Sequence, residues 1–112
     1  MNPSLKKGLF ATFVQMLEDL KDKKEIEIFL KDFFDEEELE IYIKRISIAY
    51  WLKKGRDEDN IQRNLLATSK EISDARKSLK KKGIALALKK IEAEEWANKG
   101  VEKIKKFKNK NV

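Results

Sequence analysis

The chain has 112 residues, 41 % of them hydrophobic and 41 % charged, with a formal net charge of +6. That is one domain's worth of chain, with apolar material for a core and a solvated face on every element. Cysteine and histidine are both absent. Their absence excludes disulfides, Cys/His zinc sites, thiol catalysis and histidine acid–base chemistry, and it is compatible with a reducing compartment.

One proline and four glycines stand among many Lys, Glu, Leu and Ile. Few breaks and strong helix formers predict an all-α chain of about six helices. Asn2 as cap and Pro3 at the first helical position open helix one, about residues 3–20. Its apolar residues Leu5, Leu9, Phe13, Met16, Leu17 and Leu20 fall at helical spacing. Two lysines and a short apolar run imitate a signal peptide here. Glu18 and Asp19 follow at once, without a small-residue cleavage site, so an amphipathic helix is the better reading. No stretch approaches the ~20 apolar residues of a membrane span.

Asp22 with Glu25 makes a capping-box pattern for helix two, about 23–34, whose apolar set is Ile26, Phe29, Leu30, Phe33 and Phe34. Asp35 with Glu38 repeats the pattern for helix three, about 36–54, with Phe34 and Leu39 at the two staple positions. Glu36, Glu37 and Glu38 suit the positive end of that helix dipole. The segment "LEIYIKRISIAYWL" is apolar on nearly every side. Such a helix needs neighbours all round, more than a small monomer supplies, so an interlocked homodimer is expected. Gly55 is the expected C-terminal cap.

Asp57 caps a short helix, about 58–66, with Ile61 and Leu65 on its underside. Thr68 and Glu71 form a further capping box and start a helix to about Lys82, which Gly83 ends. Helix six follows at about 84–98, with Ile84, Leu86, Leu88, Ile91 and Trp96, and a basic tail occupies 99–112. The expected division is therefore a helical domain over 1–98 and a C-terminal tail over 99–112.

Charge is unevenly spread. Residues 18–40 hold eleven acids against four lysines, a net of −7. Residues 70–90 hold eight basic and two acidic residues, a net of +6, and residues 99–112 add a net of +5. A basic second half hints at a polyanionic partner, against the plainer reading of solvated helix faces.

The strongest signal is the pair of short helices over about 57–82, which has the proportions of a helix-turn-helix. Ile72, Ala75 and Leu79 form the underside of its second helix. A step of about 100° per residue puts Lys70, Ser73, Asp74, Lys77 and Lys81 opposite them, with Arg76 and Lys80 on a flank. Lysines there meet phosphates more readily than bases. Thr68 and Ser69 sit at the helix start, where backbone N–H groups favour a phosphate. Asp74 is open to two readings, a surface ion pair with Lys70 or Lys77, and an acceptor for a cytosine amino group. The pair alone is the plainer reading.

The order "FFDEEEL … KRISIAYWLKKG … IQRNLLATSKEISDARKSL" resembles the Trp repressor superfamily, and more closely its YerC/YecD branch, over about residues 20–82. Arg45, Leu52, Gly55, Ile61, Ala67, Thr68, Ile72, Ser73 and Leu79 carry the match. The resemblance implies an all-α, intertwined homodimer that binds double-stranded operator DNA through its helix-turn-helix as a transcriptional regulator. It also implies that Thr68, Ser69, Lys70, Ser73 and Lys77 face DNA, with Arg76 near the backbone. Lys81 joins this set from its place on the outer face.

Three positions depart from the family. Its turn glycine is Leu66 here: either the position needs positive φ, where leucine costs on the order of 1 kcal/mol, or the turn differs. The two arginines that hold tryptophan are matched by Lys44 and Asp74. An acid there repels an amino-acid carboxylate, so no tryptophan corepressor is expected. The basic extension after Gly83 is longer, with three open readings: a DNA arm, an oligomer contact and a solvated tail.

The expected function is thus a cytoplasmic, dimeric, sequence-specific DNA-binding regulator. The alternative is a helical protein-interaction module that kept the fold and lost DNA binding. RNA binding through the lysine-rich end is a third option, with Phe107 as its one stacking side chain. An enzyme is not expected. No nucleophile with a base, Gly-rich phosphate loop or metal cluster is legible, and no cofactor is implied.

Overall fold

The computed structural model describes the backbone of residues 1–110 and the side chains of residues 1–98. Six helices and no strands are found among the described residues: α1 (Pro3–Asp19), α2 (Lys23–Phe33), α3 (Glu36–Lys53), α4 (Glu58–Leu65), α5 (Ser69–Ser78) and α6 (Lys82–Lys110). The side chains from Lys99 onward, Phe107 included, lie outside the described residues.

The starts of the helices follow from their caps. Asn2 Oδ1 accepts from the Ser4 amide at 2.8 Å ahead of Pro3. Asp22 and Asp57 each accept an amide three residues on, at 2.8 Å, from Glu25 and Asn60. Asp35 and Glu38 complete a reciprocal box before α3, at 2.8 and 3.2 Å. Each such bond satisfies an amide that has no partner within the helix. Gly55 takes φ +86, the left-handed turn that follows α3 and that glycine adopts without strain.

The chain forms two compact units, Met1–Glu40 and Ile41–Val112. In the first, α1 and α2 contain no buried residue. Phe13, Phe29, Phe33 and Phe34 form a chain of ring contacts, with centroids 6.0 Å apart for Phe13–Phe33 and 5.1 Å for Phe29–Phe33. Leu5, Leu9, Phe10, Val14, Ile26 and Ile28 stay exposed.

The second unit holds the core. Ile48, Ala49 and Tyr50 of α3, Ile61 of α4, Ala67 of the corner, Ile72 and Ala75 of α5, and Leu88 of α6 are its buried residues. Leu65, Leu79, Ile84 and Ile91 pack around them. Only the second half of α3 is covered in this way. Ile41, Tyr42 and Ile43, in its first half, remain about half exposed. The Tyr50 hydroxyl donates to the Glu95 carboxylate, and Lys53 pairs with Glu92 at 3.3 Å, so two polar contacts tie α3 to α6 beside the apolar ones.

Helices α5 and α6 meet earlier than the lysine-rich stretch predicts. The helix expected to reach Lys82 stops at Ser78, and Gly83, expected to end it, lies in the first turn of α6. Amides of Leu79 and Lys81 donate to carbonyls three residues back, at 3.3 and 2.9 Å. This tighter, 3₁₀-type winding ends the regular helix while Leu79 stays against the core. Lys81 therefore belongs to the bend between α5 and α6, not to the outer face of α5.

Candidate nucleic-acid interface

The short helices α4 and α5 are joined by a three-residue corner, Leu66, Ala67 and Thr68. Their mutual packing is fixed by Ile61 and Ile72, both fully buried, with Ala67 and Ala75 beside them. Burying those four leaves the opposite face of α5 to solvent. Ser69, Lys70, Ser73, Asp74, Arg76 and Lys77 are all exposed, as is Thr68 at the cap.

The corner turns on Leu66, the one non-glycine residue with positive φ among the described residues, at φ 52 and ψ 43. A Cβ in this left-handed region crowds the following carbonyl, so leucine is strained where glycine is at ease. The side chain recovers little by packing, because it is 81 % exposed.

Thr68 then starts α5 with a complete capping box. Its hydroxyl accepts from the Glu71 amide at 3.1 Å, and the Glu71 carboxylate accepts from the Thr68 amide at 3.0 Å. The Glu71 carboxyl is held below its ordinary pKa, first by that Thr68 backbone N–H and also by the Lys44 ammonium. Lys44 reaches in from α3. Its Nζ lies 3.2 Å from Glu71 Oε1 and donates to the Leu66 carbonyl at 2.6 Å. One ammonium thus touches the end of α4 and the start of α5. Across the corner, Gln62 donates to the Ser69 hydroxyl at 3.1 Å.

The predicted contact residues differ in what else they do. Lys70 pairs with Asp74 at 3.5 Å along the helix, a highly exposed contact worth a few tenths of a kcal/mol. Arg76 is engaged by Glu58 of α4 at 2.9 Å. Lys77 makes no ion pair among the described residues. Ser73 sits between these cations on the same face. Lys81 stands apart from them, at the rim of a cleft of about 520 Å³ between α3 and α5. Arg45, Glu71 and Asp74 supply the other charges of that cleft.

The contacts that Lys44, Gln62 and Glu58 make had no signal in the sequence. Each partner lies on another element or its cap, and in Lys44's case one partner is a backbone carbonyl, which carries no side-chain signature. No group of acidic side chains with metal-binding geometry occurs among the described residues. No described helix is long and apolar enough to cross a membrane.

Compared with known proteins, the chain matches no family model, no curated protein and no solved structure.

Proposed function

We propose that this protein is a sequence-specific DNA-binding transcriptional regulator, cytoplasmic and homodimeric, with a Trp-repressor-like fold whose helix-turn-helix is α4, the corner and α5. The observation that carries the reading is the division of α5 into two faces. Ile72 and Ala75 are buried against the core, while Ser69, Lys70, Ser73 and Lys77 are exposed on a ten-residue helix. A helix anchored by its underside with cations outward suits a major groove, with the lysines on phosphates and Ser73 toward base edges. Thr68 and Ser69 bring the positive end of α5 to a phosphate.

The homodimer is supported by the large apolar side chains that stay exposed among the described residues. In the first unit α1 and α2 bury no residue, and in the second Ile41, Tyr42 and Ile43 are about half exposed. A patch beyond a few hundred Å² is uncommon on a monomer. Two copies related by a two-fold axis present two α5 helices to half-sites about one DNA turn apart. Tryptophan is not its effector under this reading. Lys44 is occupied by Leu66 and Glu71, and the Asp74 carboxylate opposes a ligand carboxylate in the cleft.

Exposed Leu66 favours a second reading, a protein-interaction module on the same fold, since an apolar side chain at the corner suits a protein partner. Selection of bound genomic fragments, followed by titration of the selected duplex, decides between them. Lys70→Glu with Lys77→Glu is expected to abolish duplex binding, and affinity is expected to fall steeply with salt. Unchanged affinity in that variant, or an affinity indifferent to salt, rejects the DNA reading.

A further inference from the structure

We propose that Lys44 is a positioning residue for α5: from α3 it holds the strained corner at Leu66 and so fixes the angle at which α5 leaves it. The inference rests on the DNA-binding reading for its consequence, but not for its geometry.

The corner has a conformational cost and little packing to offset it. Leu66 sits at φ 52 with its side chain 81 % exposed. Left to itself, a leucine relaxes toward negative φ, and a change of backbone angle there swings everything after it. Beyond the packing of Ile61, Ala67 and Ile72, polar contacts restrain the corner. The Ala67 amide donates to the Gln62 carbonyl at 3.3 Å, and the Leu66 carbonyl receives the Lys44 ammonium at 2.6 Å. The same ammonium lies 3.2 Å from Glu71, whose carboxylate is already bound to the Thr68 amide. A positive charge suits both ends of this arrangement: the carbonyl end of α4 and an acid in the first turn of α5. The Lys44 side chain is 25 % exposed, so this contact is less open to solvent than the Lys70–Asp74 pair. Lys44 lies on the helix that supplies Ile48, Ala49 and Tyr50 to the core. The restraint is therefore carried by a helix that is itself packed into the core.

Two roles for Lys44 predict different outcomes. As one more cation near DNA, its removal weakens binding to every duplex alike. As the restraint on the corner, its removal blunts discrimination, because α5 no longer enters the groove at one angle. In that case a glycine at Leu66, which adopts the left-handed corner without strain, makes the restraint dispensable.

The test is a cycle of Lys44→Met, Leu66→Gly and the double variant, with Lys44→Arg as the conservative control, all assayed well below their melting temperatures. In the free protein, amide hydrogen exchange at Ala67 and Thr68 is expected to quicken about tenfold in Lys44→Met. It is expected to return to near the parent rate in the double variant and in Lys44→Arg. With DNA, the ratio of affinities for the selected and a scrambled duplex is expected to fall about tenfold in Lys44→Met and to recover in the double variant. Unaltered exchange in Lys44→Met overturns the proposal. So does an equal loss of affinity for both duplexes that Leu66→Gly fails to restore. If the parent protein binds neither duplex, the DNA reading fails and the effect on discrimination with it, while the exchange rates still decide whether Lys44 holds the corner.

Discussion

Arg76 reaches from α5 back to Glu58 in the first turn of α4, its guanidinium Nη2 2.9 Å from the carboxylate. The pair spans the outside of the two-helix corner, as Ile61 and Ile72 span the inside. Both side chains are about half exposed, so the contact contributes only ~0.2–1 kcal/mol to stability. Its larger effect is on charge, because it neutralises a cation beside the proposed DNA-facing surface.

Glu58→Gln therefore costs at most about 1 kcal/mol in urea unfolding, part of it from an acid lost at a helix N-terminus. It also releases Arg76. The slope of log affinity against log salt with duplex DNA is expected to steepen by about one unit. A slope identical to the parent's places Arg76 away from the phosphates.

Leu66→Gly is expected to stabilise the protein by about 1 kcal/mol, read as a raised urea midpoint at constant m-value. Leu66→Ala is the control. Alanine keeps the Cβ that causes the strain, and the side chain it removes is 81 % exposed, so stability is expected to stay within about 0.5 kcal/mol. A destabilising glycine shows that the corner does not hold its left-handed geometry in solution.

Tyr50 gives the protein an alkaline limit. Its hydrogen bond to the Glu95 carboxylate, with burial and the charges of Glu95 and Glu92, raises its pKa from 10.0 to about 12. The folded state holds this proton more tightly than the unfolded chain. The contribution to stability is complete below pH 10, falls as pH rises, and is lost above about 12. Tyr50→Phe is expected to remove that part of the alkaline decline. Glu71 acts in the opposite direction. Its pKa is lowered by the Thr68 amide and Lys44, so its contribution is present above the ordinary carboxylate range and lost as pH falls through the depressed value. Glu71→Gln is expected to flatten the acid limb of the stability profile, measured by urea unfolding from neutral pH downward.

Much of this fold was legible from local chemistry. Pro3, the acids at Asp22, Asp35 and Asp57, and the Thr68–Glu71 box each place a helix start within one residue, because a cap is a contact over three residues and needs no tertiary context. The inward set of Ile61, Ile72, Ala75 and Leu79 was legible from helical spacing alone. The end of α5 was not. Between Leu79 and Gly83 stand three lysines with no breaker, and the tightening to three-residue hydrogen bonds depends on keeping Leu79 at the core. Reading Gly83 as the stop kept Lys81 on the outer face of α5, whereas it lines the cleft with Arg45. At Leu66 the missing glycine pointed to either strain or a different turn, and the backbone carries the strain. Lys44 was matched to a ligand-binding position by resemblance, yet its partners are a carbonyl and a capping carboxylate of its own chain.

Large apolar side chains are exposed on α1 and α2, and separately in the first half of α3. Leu5, Leu9, Phe10, Val14 and Ile43 are each left about half or more in contact with water in a single chain. A standard interface covers roughly 800 Å² per partner, and exposed apolar side chains such as these are what it takes from water. In a dimer the melting temperature rises with protein concentration, because only the assembled state is stabilised by association. Light scattering is expected to give twice the 13.2 kDa chain mass. Phe10→Asp is the discriminating variant. In one chain Phe10 is 67 % exposed and touches little, so an acid there costs that chain almost nothing. In an interface it buries a charge. The variant is expected to give the mass of one chain and a melting temperature indifferent to concentration. The parent protein at a single-chain mass across the micromolar range instead removes the dimer, and with it the two half-sites.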